Sequence, residues 1–247
     1  DGDVDAWVAN YGHANRAWIN QGGIQGGIPG TYADSGQPLG GSGSWRVALG
    51  DVDGDGDLDV VAGDHDANKK LYLNNGTTAP FNSGTIAIAV GSETDYTFGL
   101  ALGDVDGDGD QDLYVANDGE ANFLLLNQWK ETGEIKFIDD AYIAGCALGE
   151  GAKEEAGMGV EAADLDGDGD EEILVTNFEA QTNSCYRNDG GGMFLETSFV
   201  NGMGPPSIPN VAFGIRVLDV NLDLLPDIFI TNGHVIDNIE KLTTGQT

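Results

Sequence analysis

Basic residues are what this chain most lacks: 10 Lys and Arg stand against 42 Asp and Glu, a formal charge of −32 over 247 residues. Such a surface repels the phosphates of nucleic acid and of anionic membranes, so neither is expected as a partner. No apolar run approaches the ~18 residues a spanning helix needs, and membrane insertion is not expected either. There are three histidines, and neither His-Glu-x-x-His nor Gly-x-Ser-x-Gly occurs; no metalloprotease or serine-hydrolase machinery is written here. The two cysteines, Cys146 and Cys185, are too few for a zinc cluster. They can close one disulfide within a structural unit or stay as buried thiols. A basic, apolar leader is missing, but Asp1 already lies inside a motif, so its absence says nothing about secretion.

Glycine and aspartate are plentiful, and they recur together. Asp51-Val-Asp53-Gly-Asp55-Gly-Asp57-Leu-Asp59 returns as the run from Asp104 to Asp112 and again from Asp164 to Glu172. A decayed copy spans Asp219 to Asp227, and Asp1-Gly-Asp3-Val-Asp5 is the second half of another. Two carboxylates ~4 Å apart repel by roughly 4 kcal/mol at an effective dielectric of about 20. A loop this dense in carboxylates needs a hard cation to stay closed.

The complete and decayed loops begin at residues 51, 104, 164 and 219, giving intervals of 53, 60 and 55 residues. Other positions keep step. Trp45, Phe98, Met158 and Phe213 each stand six residues before a loop, and Gly99, Gly159 and Gly214 follow three of them. Alternating segments then lead into each loop and predict a short inner strand. A second strand leaves the loop and ends at Asn10, Asp64, Asn117, Asn177 and Asn232. A third ends at Asn20, Asn74, Asn127 and Asn188, and fainter fourth strands follow at 85–88, 135–138 and 193–195. Four short antiparallel strands per ~55 residues is the unit of a β-propeller. The fold is therefore expected to be all-β, one propeller domain over 1–247, with blades at about 45–97, 98–157 and 158–212 and partial blades at 1–44 and 213–247. About four and a half blades suggest part of a larger ring. The longer interval, near 139–157, reads as a surface insertion between blades.

Calcium takes six to eight oxygens, often from alternate residues of a short loop with glycine at its sharp turn. The expected ligands are Asp51, Asp53, Asp55, the Asp57 carbonyl and Asp59 in the first loop. Asp104, Asp106, Asp108, Asp110 and Asp112 serve the second, and Asp164, Asp166, Asp168, Asp170 and Glu172 the third. The ninth residue is placed to close the shell with both oxygens. An EF-hand is excluded, because the twelfth position holds Ala62, Val115, Val175 or Ile230 in place of glutamate. In the decayed loop Asn221 replaces a carboxylate, Leu224 the turn glycine, and Pro226 is new. Asp219, Asn221, Asp223, the Leu225 carbonyl and Asp227 form a weaker fourth set, and Asp1, Asp3 and Asp5 a truncated fifth.

The stretch from Phe98-Gly99 through Asp104-Val-Asp-Gly-Asp-Gly-Asp-Gln-Asp-Leu-Tyr-Val-Ala-Asn117 resembles the FG-GAP/VCBS repeat of integrin-α propellers. Phe213-Gly-Ile-Arg-Val-Leu-Asp through Asn232-Gly-His-Val is similar, over a shorter span, to the propeller end of cartilage-acidic-protein-like (ASPIC/UnbV) proteins. The resemblance implies Ca²⁺ in each complete loop and a secreted or cell-surface setting. Val61-Ala-Gly63 departs from the integrin pattern, so integrin-style ligand binding does not follow.

The leading expectation is a calcium-binding extracellular propeller serving as an interaction, adhesion or structural module for a protein or glycan partner. A carbohydrate-binding alternative uses the turns opposite the acidic loops, with Tyr11, His13, His65, Asp66, Glu120, Phe178 and His234. An enzyme, such as a polysaccharide lyase or hydrolase, is less favoured, since no catalytic motif is present. Self-association through open half-blades is a further alternative. Asn75-Gly-Thr77 is an N-glycosylation sequon on a hairpin turn.

Overall fold

The structure is a computed structural model, described here for residues 4–37, 39–40, 43–64, 68–77, 79–81, 85–88 and 96–234. Each repeat becomes a small antiparallel sheet whose strands follow one another in sequence. The first sheet holds β1 (Ala6–Val8), β2 (Arg16–Asn20) and β3 (Tyr32–Asp34). The next holds β4 (Ser44–Gly50), β5 (Asp59–Asp64), β6 (Lys69–Tyr72) and β7 (Thr85–Ile88). Then come β8 (Thr97–Gly103), β9 (Asp112–Glu120), β10 (Phe123–Asn127) and β11 (Phe137–Asp139). A fourth blade has β12 (Glu155–Ala163), β13 (Glu172–Asn177), β14 (Ser184–Asn188) and β15 (Phe194–Glu196), and β16 (Val211–Leu218) pairs with β17 (Asp227–Gly233). These are the propeller blades expected from the repeat. Two of them are also stitched together, because β9 runs on to pair Glu120 with Glu155 and Asp118 with Ala156 of β12.

Every inner strand carries a bulge at the same place. The pairing skips from Ser44 to Arg46, Thr97 to Gly99, Gly157 to Gly159 and Ala212 to Gly214. The residues left out are Trp45, Phe98, Met158 and Phe213, the large apolar residues that keep step in the sequence. A bulge re-aims its side chain and bends the strand. The following glycine lets blades meet: a Cβ on Gly159 would lie 2.2 Å from the Phe213 carbonyl oxygen of the next blade.

The core lies between blades. Second strands are sandwiched, so they read as continuous apolar runs, and alternate residues serve opposite neighbours. Val60 and Ala62 pack with Ala17 and Tyr72, whereas Val61 joins Leu71, Leu100, Leu113, Val115 and Leu125. Tyr114 and Ala116 turn the other way, toward Leu124, Ile173, Val175 and Tyr186. Leu174 and Cys185 face Ile215.

One expectation is corrected and one open alternative is decided. The 139–157 segment is more than a surface insertion. It forms a short helix, Ala141–Ala144, and buries Ala141, Ala144, Cys146 and Ala147 against the core between two blades. The Tyr114 hydroxyl donates to the Cys146 carbonyl at 2.7 Å. Cys146 and Cys185 do not form a disulfide; both are free and buried. They pack into different inter-blade cores, on opposite faces of the 158–212 blade.

Candidate metal centres

Each acidic loop joins the first strand of a blade to the second, and its own side chains fold it. In the first, the Asp51 carboxylate accepts the amides of Asp55 and Gly56 at 3.1 and 3.0 Å, and Asp55 accepts that of Asp57 at 2.9 Å. In the third, Asp164 accepts Gly167 and Gly169 at 2.7 and 3.1 Å. The turn requires a left-handed backbone at the fourth and sixth residues, with φ of 70° and 94° at Gly54 and Gly56.

Side-chain oxygens converge to within 4.8 Å of one another in three loops: Asp51, Asp53 and Asp59; Asp104, Asp106 and Asp108; Asp164, Asp166 and Glu172. Asp108, Asp110 and Glu131 form an adjoining group. Glu131 was not foreseen, because it belongs to a helical turn, Trp129–Thr132, beyond the third strand.

The ninth residue ties its loop to the end of the third strand. One oxygen of Asp59 accepts the Val52 amide at 2.9 Å and the other the Asn74 amide at 2.8 Å. Asp112 holds Val105 and Asn127 at 3.2 and 2.8 Å, and Glu172 holds Leu165 and Asn188 at 2.7 and 3.2 Å. Each oxygen of the ninth carboxylate clasps a backbone amide; Asp59 and Glu172 also join their convergent trios, whereas in the second loop Asp112 lies outside it. The asparagine ending each third strand belongs to the site. Its recurrence in register was visible, but the sequence does not say which amide the ninth carboxylate takes.

Burial makes these carboxylates hard to ionise without a cation. Desolvation, with neighbouring carboxylates adding, lifts Asp59 to about 6 and Asp112 to about 8. Asp53, Asp106, Asp110 and Glu172 move up for the same first reason. Asp104 Oδ1 and Asp110 Oδ1 are buried and accept no hydrogen bond. Convergent, desolvated carboxylates with orphaned oxygens fit a hard divalent cation.

The decayed loop keeps the fold without the convergence. Asp219 accepts the amides of Asp223 and Leu224 at 3.1 and 2.9 Å, and Asp227 accepts that of Val220 at 3.0 Å. Leu222 and Leu224 adopt φ of 63° and 70° where glycines stand elsewhere. Among the described residues its carboxylates form no convergent trio. Asp5 accepts the Asn20 amide at 2.7 Å, repeating the clasp; Asp1 and Asp3 lie outside the described residues.

The opposite face divides into separate contacts. Tyr11, exposed beside His13, meets Trp45 edge-on at 5.8 Å, and Trp45 meets Phe98 at 4.6 Å. Phe178 and His234 pair at 6.2 Å. Glu120 is exposed at the end of β9, and His65 and Asp66 lie outside the described residues. Asn75 is exposed, and its side-chain oxygen accepts the Thr77 amide and hydroxyl at 3.1 and 2.7 Å.

Consecutive four-stranded blades with an acidic loop between first and second strands define the class, a β-propeller. The FG-GAP-like repeat model matches residues 1–62, 51–115, 104–175 and 164–230, and the chain belongs to that family. A lectin of Agrocybe aegerita, described as specifically recognising non-reducing terminal N-acetylglucosamine, is similar in structure, with a TM-score of 0.54 at 19% identity. The similarity covers 93% of this chain and 57% of the lectin chain, and at that identity it speaks for the fold alone. No curated protein matches the sequence.

Proposed function

We propose that the chain is a calcium-stabilised, extracellular β-propeller module, a single domain over 1–247, whose role is binding rather than catalysis. The observation that carries this reading is the convergence of three carboxylates in each of three loops. Calcium suits the site because its flexible shell accepts many oxygens, whereas magnesium keeps its waters. Three ions restore about +6, leaving a charge near −26 that favours partners without strong negative charge. A cation that binds only the folded state adds about 2.7 kcal/mol per site at a hundredfold excess over its Kd. Millimolar external calcium supplies that excess for Kd values in the ten-micromolar range. Differential scanning calorimetry with and without EGTA tests the reading; a melting temperature indifferent to calcium would overturn it.

A second reading, glycan binding, is supported by the contiguous aromatics Tyr11, Trp45 and Phe98 on the face away from the metal loops. The lectin neighbour is consistent with it, though on fold alone. Sugar rings stack on such surfaces. Saturation-transfer NMR with N-acetylglucosamine and an unbiased glycan array would test it, with loss of signal in Trp45→Ala expected and an empty array counting against it.

A further inference from the structure

We propose that the three metal loops are coupled through the side chains of Asn127 and Asn188, so that loading one loop raises the calcium affinity of the next. The inference rests on the calcium reading above and adds positioning residues to it.

Each of these asparagines holds two blades at once. Asn127 Nδ2 donates to the Val52 carbonyl in the loop of the preceding blade at 2.9 Å, and Asn188 Nδ2 donates to Val105 at 2.8 Å. Their backbone amides meanwhile rest on the ninth carboxylates of their own loops, Asp112 and Glu172. A continuous path results. Asp59 accepts the Val52 amide, the Val52 carbonyl accepts Asn127, and the Asn127 amide meets Asp112. Asp112 accepts the Val105 amide, the Val105 carbonyl accepts Asn188, and the Asn188 amide meets Glu172. Val52 and Asn127 are 0% exposed, Asp112 1%, Val105 3%, and Asn188 and Glu172 2%. Water cannot readily substitute for any link, so the path transmits displacement instead of absorbing it.

Packing reinforces the relay. Gln111 and Glu171, just before the ninth residue, press on the glycine that precedes the neighbouring loop. An added Cβ at Gly50 would lie 1.8 Å from Gln111 Oε1, and one at Gly103 2.0 Å from Glu171 Oε2. A Cβ on Gly192 would lie 3.2 Å from the Asp106 side chain, and one on Gly54 3.6 Å from Trp129 Nε1. In the third loop an ion that draws in Asp164, Asp166 and Glu172 therefore fixes Asn188, which holds the Val105 carbonyl of the loop before it. In the second loop the convergent carboxylates are Asp104, Asp106 and Asp108, and the ion reaches Asn127 through Asp112, which clasps the Val105 amide lying between Asp104 and Asp106. Asn74 supplies a natural control, because its side-chain amide donates at 3.1 Å to Leu58 within its own blade.

The test is a calcium-titration cycle by isothermal calorimetry on the whole chain with its third loop disabled by Asp166→Asn. Adding Asp106→Asn leaves the first loop alone, and adding Asp53→Asn leaves the second alone; neither residue is a member of the hydrogen-bonded path between those loops. The two-loop isotherm should exceed the product of the single-loop affinities by about fivefold or more, the usual scale for coupled sites. Asn127→Asp keeps the size and the acceptor but removes the donor, and should shrink that excess to within about twofold. Asn74→Asp should leave it intact. Should Asn127→Asp fail to fold, Asn188→Asp with the first loop disabled by Asp53→Asn applies the same cycle to the second and third loops. Independent binding in the parent, or full coupling surviving in Asn127→Asp, overturns the relay while leaving the calcium sites standing. No ion uptake in the two-loop parent overturns both.

Discussion

Leu222 and Leu224 hold positions in the decayed loop that call for glycine, and the cost can be worked out. Both adopt left-handed backbone, at φ of 63° and 70°, for which an L-residue pays roughly 1–2 kcal/mol. Their side chains are 84% and 91% exposed, so trimming them forfeits little burial. Glycine returns about 0.4–1 kcal/mol to the unfolded chain as entropy. The net gain is therefore about 0.5–1 kcal/mol per position, or about 1–2 kcal/mol for Leu222→Gly with Leu224→Gly. At ~2.1 cal/mol/K per residue, 247 residues unfold with about 0.5 kcal/mol/K, so the melting temperature should rise by about 2–4 °C. Calorimetry in EGTA isolates this backbone effect from ion binding, and hydrogen exchange at the Asp223 and Leu224 amides reports it locally. The converse change is Gly56→Leu, at φ of 94° with no atom within 4 Å of the added Cβ, and it should lower stability by a similar amount. If the glycine pair destabilises the loop while Gly56→Leu is neutral, the strain argument is wrong. Adding Asn221→Asp to the glycine pair should then raise the calcium count by one.

Other expectations concern protons, thiols and one buried hydroxyl. Asp59 and Asp112, at about 6 and about 8, hold their protons more tightly folded than unfolded. That stabilisation is complete below the ordinary carboxylate range and is lost as pH rises through those values. In EGTA the melting temperature should fall from pH 5 to pH 8, and saturating calcium should abolish the fall; a flat metal-free profile would refute this. Glu155, lifted to about 7 mainly by burial, accepts Asn177 and Ser184 at 2.8 and 3.1 Å. Glu155→Gln keeps the acceptor and should flatten part of that metal-free slope, whereas an unchanged slope would assign it elsewhere. Thiol titration after denaturation without reductant should find both cysteines reactive, because both are free. Tyr114→Phe removes a 2.7 Å bond to the buried Cys146 carbonyl and should cost about 1–2 kcal/mol, read as a drop of about 2–4 °C.

The repeat, its blade unit and its acidic loops were legible because they rest on local chemistry. Period-two apolar alternation, turn glycines and alternating carboxylates are dictated within a few residues, and each recurs in several copies. The register also marked Trp45, Phe98, Met158 and Phe213 and the asparagines ending the third strands, without saying what they do. Only the pairing of β4 with β5, and its counterparts in the other blades, turns the first group into bulges. Only the stacking of one blade on the next brings Asn127 to Val52, 75 residues away in sequence.

The cysteines and the 139–157 segment divide along the same line. Spacing left a disulfide between Cys146 and Cys185 open, because it cannot say which face of a strand a residue takes or which neighbour it meets. Blade packing sends them into different cores and draws the small residues of 141–147 inward. Short-range alternation and turn chemistry thus determined the blades and their carboxylate loops. Contacts between blades, which depend on how twisted sheets stack, decided what is buried and which loops touch.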